Sequence, residues 1–260
     1  MRVPRVVIAG AMPESVLDAG DAAFHHIVRV LRRGPGDPLI VLDGFGGAFQ
    51  AEVQSVDAAA ARLAVRVGRA LAPAQARERP KVTVGLGIPR GDGFETALRW
   101  GSEMGIGAVV PLLTKRTVVK ISSGERGETA RKLVRWRKIA RESAEQCLRP
   151  LPLEVESPET LADFLSRPPS GESRWIAIPG GTDLASSGLP EALSRSAEKQ
   201  GAGSVLILVG PEGGFSPAEV ERAAAAGFRT VGFPVSILRA PTAVAYLAAL
   251  ASVADWLGEQ

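Results

Sequence analysis

The sequence predicts an α/β protein of two domains: a small N-terminal β-barrel, then a larger domain in which strands and helices alternate. Over residues 1–71, short apolar runs are separated by turns rich in Gly, Pro and Asp, which is typical of a small barrel. Over residues 81–260, strand-like runs alternate with helical patterns, which indicates a parallel sheet with helices on both faces. Residues 72–80, rich in Ala, Pro, Arg and Glu, form the predicted linker.

The predicted strands of the first domain are short and aliphatic. They cover residues 6–8, 39–42, 48–53 and 63–67. β-Branched and aliphatic side chains suit a pleated surface that is buried on one side. Taken by themselves, these strands fit an OB fold as well as another small barrel.

The second domain begins with a predicted strand and alternates from there to the C-terminus. Strands are predicted at 82–88, 108–112, 175–178, 204–209 and 230–233. Helices are predicted from residue 92, in the basic segment after residue 112, near 189–199, from residue 217 and over 241–257. Ligands of such open sheets bind beyond the carboxyl ends of the strands.

The composition limits the kinds of function that are open to the chain. With 45% hydrophobic and 23% charged residues among 260, it is an ordinary globular sequence. No apolar run reaches the roughly 20 residues that cross a bilayer, and the N-terminus has no signal-peptide pattern, so we expect a cytoplasmic protein without membrane association. The single cysteine, Cys147, excludes an internal disulfide. With only two histidines beside it we expect no metal site.

Positive charge is concentrated in one segment. Residues 115–149 hold 11 Lys and Arg against 4 Glu, a local balance of about +7, whereas the whole chain has a net charge of +3. In the predicted helix of this segment, one stripe is apolar and another is basic. The apolar stripe contains Leu133, Trp136, Ala140, Ala144 and Cys147, and the basic one contains Arg131, Arg135 and Lys138. A basic stripe indicates either a solvated helix face or a nucleic-acid surface.

Residues 205–219 are the most informative stretch, because a buried strand ends there in a glycine-rich turn that leads into a helix. Val-Leu-Ile-Leu-Val precedes Gly-Pro-Glu-Gly-Gly-Phe, and Ser216 and Glu219 form a predicted capping box around Pro217. Glycines in such a turn expose backbone N–H and C=O groups to a ligand. Strand–helix packing alone is an equally good explanation of the turn by itself.

The residues of the turn narrow the choice of ligand. A glycine turn beside a helix N-terminus suits a phosphate, but neither Gly-Lys-Ser/Thr nor Gly-x-Gly-x-x-Gly is present. The carboxylate of Glu212 would repel phosphates, and would instead accept hydrogen bonds from ribose hydroxyls or favour a cationic ligand. The turn therefore favours a cofactor such as S-adenosyl-L-methionine over ATP or NAD, and it disfavours a nucleotide-hydrolysing enzyme.

Several motifs match a known family in their order along the chain. Gly-Pro-Glu-Gly-Gly at 210–214 is followed by Ile-Leu-Arg at 237–239 and by an Ala-rich terminal helix. Upstream lie His-His-Ile-Val-Arg-Val-Leu-Arg at 25–32, Pro-Arg-Gly-Asp-Gly-Phe-Glu at 89–95 and Val-Pro-Leu-Leu-Thr-Lys-Arg at 110–116. With these motifs, nearly the whole chain closely resembles the bacterial 16S ribosomal RNA (uracil-N3)-methyltransferase family of the SPOUT class.

The resemblance implies both an activity and an architecture. The activity is S-adenosyl-L-methionine-dependent methylation of uridine N3 in the 16S ribosomal RNA of the small ribosomal subunit. The architecture is a homodimer with a PUA-like RNA-binding barrel at the N-terminus and a SPOUT α/β domain with a C-terminal trefoil knot. Periodicity cannot show a knot, and knots are rare among protein folds, so this expectation rests on the resemblance.

The cofactor site is expected where three loops meet. Loops 179–181, 210–214 and 236–240 each follow a predicted strand, so we expect them to converge at one edge of the sheet. The cofactor is expected to bind mainly through backbone groups there. The assigned residues are Ile178, Gly180, Leu208, Gly210, Glu212, Gly213, Ile237, Leu238 and Ala243.

Arg239 is the candidate catalytic residue. Methylation of uridine N3 requires loss of its proton, and the resulting negative charge spreads over the flanking carbonyl oxygens. A guanidinium stays protonated and donates in a planar fork, so it can bind that charge. The alternative is a phosphate-positioning or structural arginine. No general base is evident, because His25 and His26 are expected to serve packing or hydrogen bonding.

Seven basic residues are candidates for contacts to RNA phosphates. Arg29 and Arg32 are expected to share one helix face, and the others belong to the basic segment. The full set is Arg29, Arg32, Lys115, Arg116, Arg131, Arg135 and Lys138.

The chain departs from the family pattern at two places. Ala240-Pro241 stands where relatives usually carry Thr-Glu, and Trp100 stands where a lysine is common. Any catalytic role of that Glu or Lys is therefore not transferred to this chain. The alternative hypothesis is a catalytically altered or non-enzymatic RNA-binding or ribosome-assembly relative.

Overall fold

The chain forms two compact units in the computed structural model. The structure describes residues 3–8, 11–43, 47–71, 81–119, 121, 127–147, 149, 151–167, 172–197, 204–234 and 237–257. The first unit comprises Met1–Arg77 and Ala144–Pro152, and the second comprises Glu78–Ser143 and Leu153–Gln260. The predicted linker, 72–80, lies outside the described residues, and the grouping of Ala144–Pro152 with the first unit was not predicted.

The first unit is built on a five-stranded sheet. Its strands are β1 (Arg5–Val7), β2 (Ser15–Ala19), β3 (Pro38–Leu42), β4 (Ala48–Asp57) and β5 (Arg62–Ala70). They lie in the order β1-β3-β4-β5-β2, with β1 parallel to β3 and the other neighbours antiparallel. Between β2 and β3 a helix, α1 (Asp21–Phe24), continues as a π-helix over His25–Val30. This helical segment buries Phe24 and Ile27 in the core of the unit.

The four strands predicted for this unit correspond to β1, β3, β4 and β5, and β2 was missed. In β2 only Ala19 is fully buried, so its sequence carries too weak an apolar signal for a strand. The expectation that Arg29 and Arg32 share a helix face is wrong. The π-helix ends at Val30, and Arg32 follows it with a left-handed backbone, φ 54°.

The second unit is a parallel sheet of seven strands. These are β6 (Lys81–Gly87), β7 (Ala108–Leu113), β8 (Glu154–Val155), β9 (Glu159–Thr160), β10 (Ser173–Ala177), β11 (Ser204–Val209) and β12 (Arg229–Val231). The order is β12-β10-β11-β6-β7-β8, and β9 also pairs with β7. The helices are α2 (Gly93–Met104), α3 (Gly127–Cys147), α4 (Leu161–Ser166), α5 (Leu189–Ala197), α6 (Pro217–Ala225) and α7 (Ala240–Leu257).

Helices cover both faces of this sheet, as the alternating pattern predicted. On one face, α2, α3, α5 and α7 contribute to a core with Val84, Trp175 and Ile207. On the other face, α4 and α6 pack with Ile176 and Leu208. Successive strand residues point to opposite faces, which is why Ile207 and Leu208 belong to different cores.

The elements missed in the second unit are short. β8 and β9 have two residues each and α4 has six, so none of them carries enough residues to show a period. The terminal helix begins at Ala240, one residue before the predicted start. The core stripe of α3 agrees with the prediction for Leu133, Trp136, Ala140 and Ala144, which are buried, while Cys147 is half-buried.

Candidate active site

A cavity of about 800 Å³ lies at the carboxyl ends of the central strands of the second unit. The loop after β10 lines it through residues 178–180, and the loop after β11 through residues 210–215. Residues 237–238 and the first turn of α7 line it as well. The loops that were expected to converge therefore meet at one cavity, although Ser236 lies outside the described residues.

The glycine turn has a conformation that requires its glycines. Gly214 has φ 66°, a left-handed conformation that glycine adopts without strain, and its N–H donates to the Pro211 carbonyl oxygen at 2.7 Å. A Cβ on Gly210 would lie 3.0 Å from the Gly214 Cα. The turn is thus a close approach of two backbone segments, and it presents backbone rather than side chains to the cavity.

Glu219 connects this turn to the loop after β7. Its carboxylate is 3% exposed and accepts hydrogen bonds from the Ser216 N–H at 2.7 Å and from the Ser216 hydroxyl at 2.9 Å. It also accepts from the Lys115 N–H at 2.7 Å. Burial alone raises the pKa of Glu219, but the hydrogen bonds from Lys115 and Ser216 outweigh burial and hold the pKa below its ordinary value.

Replacing Glu219 with glutamine should lower the free energy of unfolding by about 2–4 kcal/mol, because the amide NH₂ that replaces one carboxylate oxygen cannot accept from the N–H group that it faces. Urea denaturation at pH 7 measures the change. Glu221→Gln, an exposed position on the same helix, is the control and should stay within about 0.5 kcal/mol of the wild type. Equal stabilities for both variants would show that the Glu219 carboxylate does not stabilise the fold.

The same contact has a defined pH dependence. A folded-state pKa below the unfolded value means that the carboxylate stabilises the fold above the unfolded pKa, and that this stabilisation is lost as the pH falls through the lowered pKa. The difference between wild type and Glu219→Gln should therefore be constant near neutral pH and shrink in acid.

Two charged side chains line the cavity in the described part of the chain. Glu212 is exposed, and its carboxylate accepts a hydrogen bond from the Arg90 N–H at 3.0 Å. Arg116, from the loop after β7, packs its aliphatic part against Gly213, and its guanidinium donates to the Gly213 carbonyl oxygen. Arg116 was predicted from the sequence to contact RNA, and its position at the cavity was not predicted. The sequence did allow this prediction, because Arg116 closely follows a predicted parallel strand and ligands bind beyond the carboxyl ends of such strands.

The structure brings together most of the residues assigned to the cofactor. Those that line the cavity are Ile178, Gly180, Gly210, Glu212, Gly213, Ile237, Leu238 and Ala243. Leu208 is fully buried within β11 and is not one of the lining residues. Arg239 is exposed between two lining residues, and its carbonyl oxygen accepts from the Ala243 N–H at 2.9 Å, so it caps the start of α7.

Two of the three basic side chains on the exposed face of α3 already pair with carboxylates. Arg131, Arg135 and Lys138 are all exposed. Arg135 makes a two-point contact with Glu95, with N–O distances of 2.7 and 2.9 Å, and Lys138 lies 3.6 Å from Glu142. In the part of the chain that the structure describes, Arg131 has no ion pair.

Two further features are absent from the described residues. No helix there is long and apolar enough to cross a membrane. No group of three or more His, Cys, Asp or Glu side chains in the same residues is arranged to hold a metal ion.

Two known protein families match this chain and define the class of protein to which it belongs. The family of RNA methyltransferase domains matches residues 77–252, and that of RNA methyltransferase PUA domains matches residues 20–63. Together with the parallel sheet and its cavity, these matches define an RNA methyltransferase with a PUA-like N-terminal domain.

Similar sequences define the family more narrowly. Ribosomal RNA small subunit methyltransferase E of Synechocystis sp. is 34% identical over 244 residues, which cover 92% of this chain and 74% of that protein. The protein of the same name from Bacillus subtilis is 33% identical over 223 residues, with 85% and 84% covered. The chain belongs to the ribosomal RNA small subunit methyltransferase E family, and the resemblance inferred from its motifs is confirmed.

Solved structures share the fold over nearly the whole chain. A methyltransferase from Legionella pneumophila, in complex with the bound cofactor S-adenosylmethionine, has a TM-score of 0.83 at 25% identity and covers 98% of both chains. Ribosomal RNA small subunit methyltransferase E from Neisseria gonorrhoeae, bound to S-adenosylmethionine, has a TM-score of 0.80 at 24% identity, with 95% of this chain and 96% of that chain covered. The latter similarity concerns the fold alone.

Proposed function

We propose that this protein transfers a methyl group from S-adenosyl-L-methionine to N3 of a uridine in 16S ribosomal RNA. The observation that carries the proposal is the glycine-lined cavity at the sheet edge, in a chain whose family is named for methylation of small-subunit ribosomal RNA. Its partner is then the 16S RNA or the small ribosomal subunit, and its place of action is the cytoplasm.

The cavity fits S-adenosyl-L-methionine in size and in lining. Its volume of about 800 Å³ is within the range of small-molecule sites. Gly180 and Gly214 have positive φ, and a Cβ at either position would meet no atom within 4 Å, so their backbones border open space. The predicted cofactor residues would hold the adenosine and methionine parts mainly through such backbone groups, with Leu208 contributing only from within β11.

When bound, the cofactor supplies an electrophilic methyl group on a cationic sulfur. The protein then has to hold uridine N3 in line with that methyl group and stabilise the charge left when N3 loses its proton. Arg239 is the proposed catalytic residue for that charge, since it is exposed beside Leu238 and Ala240 at the cavity. Glu212 is the proposed partner for the ribose hydroxyls or the sulfonium.

RNA binding is proposed for three groups of basic residues. In the first unit, Arg29 and Arg32 are exposed on the PUA-like domain. Near the cavity, Lys115 and Arg116 are exposed in the loop after β7, and the α3 face adds Arg131, Arg135 and Lys138. Since Arg135 already pairs with Glu95, the strongest phosphate contacts of that face are assigned to Arg131 and Lys138.

Reversing both charges in an Arg131→Glu, Lys138→Glu variant should weaken RNA binding and flatten its salt dependence, because each lost phosphate contact removes about one released counterion. Cofactor affinity should not change. Filter binding to undermethylated small subunits at several salt concentrations measures the RNA affinity and its salt dependence, and calorimetry measures the cofactor affinity. Arg195→Glu with Arg222→Glu, two exposed positions on α5 and α6, is the control with the same change of charge. An unchanged salt slope would identify the α3 face as solvated surface.

We also propose a homodimer, a trefoil knot and a PUA-like barrel. We assign the homodimer contact to α7, which buries Val244 and Leu247 but leaves Val253 54% exposed, as expected for a helix that is apolar all round. A trefoil knot is proposed in the C-terminal part of the second unit, where the family resemblance implies one. The first sheet is proposed to be the PUA-like barrel, with domain limits at 1–71 and 81–260.

Mass spectrometry of ribosomal RNA tests the function. Small subunits that lack the modification, incubated with the protein and isotope-labelled S-adenosyl-L-methionine, should gain labelled N3-methyluridine. A label on another base would overturn the substrate and keep the class of enzyme. Tight binding of RNA without transfer would favour the non-enzymatic relative, which is supported by Ala240-Pro241 in place of the usual Thr-Glu.

A further inference from the structure

Arg116 is the one positively charged side chain among the described residues that line the cavity. The other charged lining residue, Glu212, has its carboxylate bonded to the Arg90 N–H. Arg239 lies next to the cavity between two lining residues and does not line it. A molecule bound in the cavity therefore meets a positive charge where the loop after β7 lines it.

The backbone around Arg116 is held on both sides. The Thr114 N–H donates to the Thr117 hydroxyl at 3.0 Å, and the Thr117 N–H donates to the Thr114 carbonyl oxygen at 3.1 Å. The Lys115 N–H donates to the buried Glu219 carboxylate at 2.7 Å. Since Glu219 also caps the helix that follows the glycine turn, one buried carboxylate fixes the Arg116 loop relative to that turn.

The side chain of Arg116 lies across the glycine turn. A Cβ on Gly213 would be 3.1 Å from the Arg116 Cδ and 3.2 Å from its Cβ, so no larger residue at 213 fits without moving the arginine. The guanidinium donates to the Gly213 carbonyl oxygen. A guanidinium has five N–H donors, and the side chain is exposed, so further donors can reach a ligand at the cavity.

The charge of Arg116 suits the methyl acceptor and opposes the methyl donor. A sulfonium and a guanidinium repel each other, so Arg116 does not favour the methyl-donating sulfur by charge, and the methionine carboxylate is the one part of the cofactor that it would attract. A uracil that has lost its N3 proton carries negative charge on the two carbonyl oxygens beside N3. A guanidinium within contact of such an anion favours its formation.

We propose that Arg116 is a catalytic residue that binds a uracil carbonyl oxygen and stabilises the uridine anion before methyl transfer. This inference rests on the function proposed above. The N3–H bond breaks with its electron pair left on N3, and the proton passes to solvent water. N3 then forms its bond to the methyl carbon as the carbon–sulfur bond breaks, and sulfur keeps that electron pair. Arg116 acts on the first of these changes, and the anion has two carbonyl oxygens, so Arg239 can act on the other.

The test compares Arg116→Gln with Arg116→Lys. Glutamine keeps an N–H donor for the Gly213 carbonyl oxygen and removes the charge, whereas lysine keeps the charge and loses the planar fork. Single-turnover methylation of undermethylated small subunits, followed from pH 6 to pH 9.5, gives the rate of the chemical step. Calorimetry with S-adenosylhomocysteine and thermal melting show whether each variant keeps its cofactor site and fold.

For Arg116→Gln we expect a rate about 10- to 100-fold lower at neutral pH, below the effect of a fully buried oxyanion donor because the side chain is exposed. Its pH–rate profile should move to higher pH by about one to three pH units, since the uridine proton becomes harder to remove. Arg116→Lys should recover part of the rate and most of the shift. Cofactor affinity should stay within about threefold, because in this proposal the guanidinium contacts the uracil and not the methionine carboxylate of the cofactor.

Three results would overturn the inference. A Gln variant with the wild-type pH profile, whatever its rate, would mean that Arg116 does not act on the uridine proton. Equal rates for Gln and Lys would show that its charge is irrelevant. Loss of cofactor binding in both variants would make Arg116 a structural clamp of the glycine turn. A wild-type protein without any transfer is a separate outcome, which removes the proposed function and this inference with it.

Discussion

Replacing Gly213 with valine should weaken S-adenosyl-L-methionine binding at least about 100-fold, a loss of about 2.8 kcal/mol, while the protein remains folded. The neighbours of an added side chain at 213 are the Cβ, Cγ and Cδ atoms of Arg116, a flexible and exposed side chain that can move away. The fold therefore has room to adapt. The cavity has no such room, because position 213 and Arg116 both line it, so the valine and the displaced arginine would take up space that the cofactor needs.

Gly210→Val should behave differently from Gly213→Val. A Cβ at 210 meets the Gly214 backbone at 3.0 and 3.1 Å, and backbone cannot move aside without changing the turn itself. This variant should lose both cofactor binding and thermal stability. Gly20→Val is the control, because a Cβ there meets no atom within 4 Å. Calorimetry with S-adenosyl-L-methionine and thermal melting separate these outcomes, and wild-type affinity in a folded Gly213→Val protein would exclude the glycine turn from the cofactor site.

The glycine turn could be predicted from the sequence because all of its determinants are local. The buried strand, the glycines and the capping box at Ser216 and Glu219 lie within fifteen consecutive residues, and the structure shows β11 over Ser204–Val209 and the capping box as predicted. Alternation of strands and helices likewise predicted that successive loops would meet at one edge. These inferences needed only the period of each element and the rule for parallel sheets.

Long-range polar contacts could not be predicted in the same way. The Glu219 carboxylate was expected to cap its own helix, but it also binds the Lys115 N–H, 104 residues away. The Arg90 N–H binds Glu212 across 122 residues. Such pairs depend on which loops the strand order brings together, and the order β11-β6-β7 is not encoded in any local pattern.

Ion pairs between helices could not be predicted from the sequence either, as the basic helix α3 shows. The pattern correctly placed Arg131, Arg135 and Lys138 on the exposed side of α3. It could not show that Glu95, forty residues before Arg135, comes from α2 to form an ion pair with it. A charge count along the sequence therefore overstates the positive charge that this face offers to RNA. Arg135 is exposed, so RNA phosphates can still compete for it, but its two-point contact with the largely buried Glu95 carboxylate opposes that competition.

Arg239→Ala should reduce methyl transfer about 100-fold and change cofactor affinity less than about threefold, because charge on the uracil develops only on the way to the transition state. The backbone role of Arg239 survives the change, since its carbonyl oxygen, which accepts from the Ala243 N–H, is retained. Single-turnover rates and calorimetry on the same preparation separate the two effects. Equal losses in rate and in cofactor affinity would mean that Arg239 supports the cofactor loop rather than the reaction.

Pro241→Glu tests whether the departure from the family pattern at the start of α7 affects catalysis. Position 241 is the second residue of α7, where a backbone N–H has no partner within the helix, so glutamate should fold normally and gain about 0.3–1 kcal/mol from the helix dipole. In an active enzyme that tolerates the loss of the usual carboxylate, the restored glutamate should change the rate less than about tenfold, equivalent to about 1.4 kcal/mol in the barrier. A wild-type protein without transfer and a Pro241→Glu variant with measurable transfer would instead identify this chain as a relative that lost catalysis at this residue.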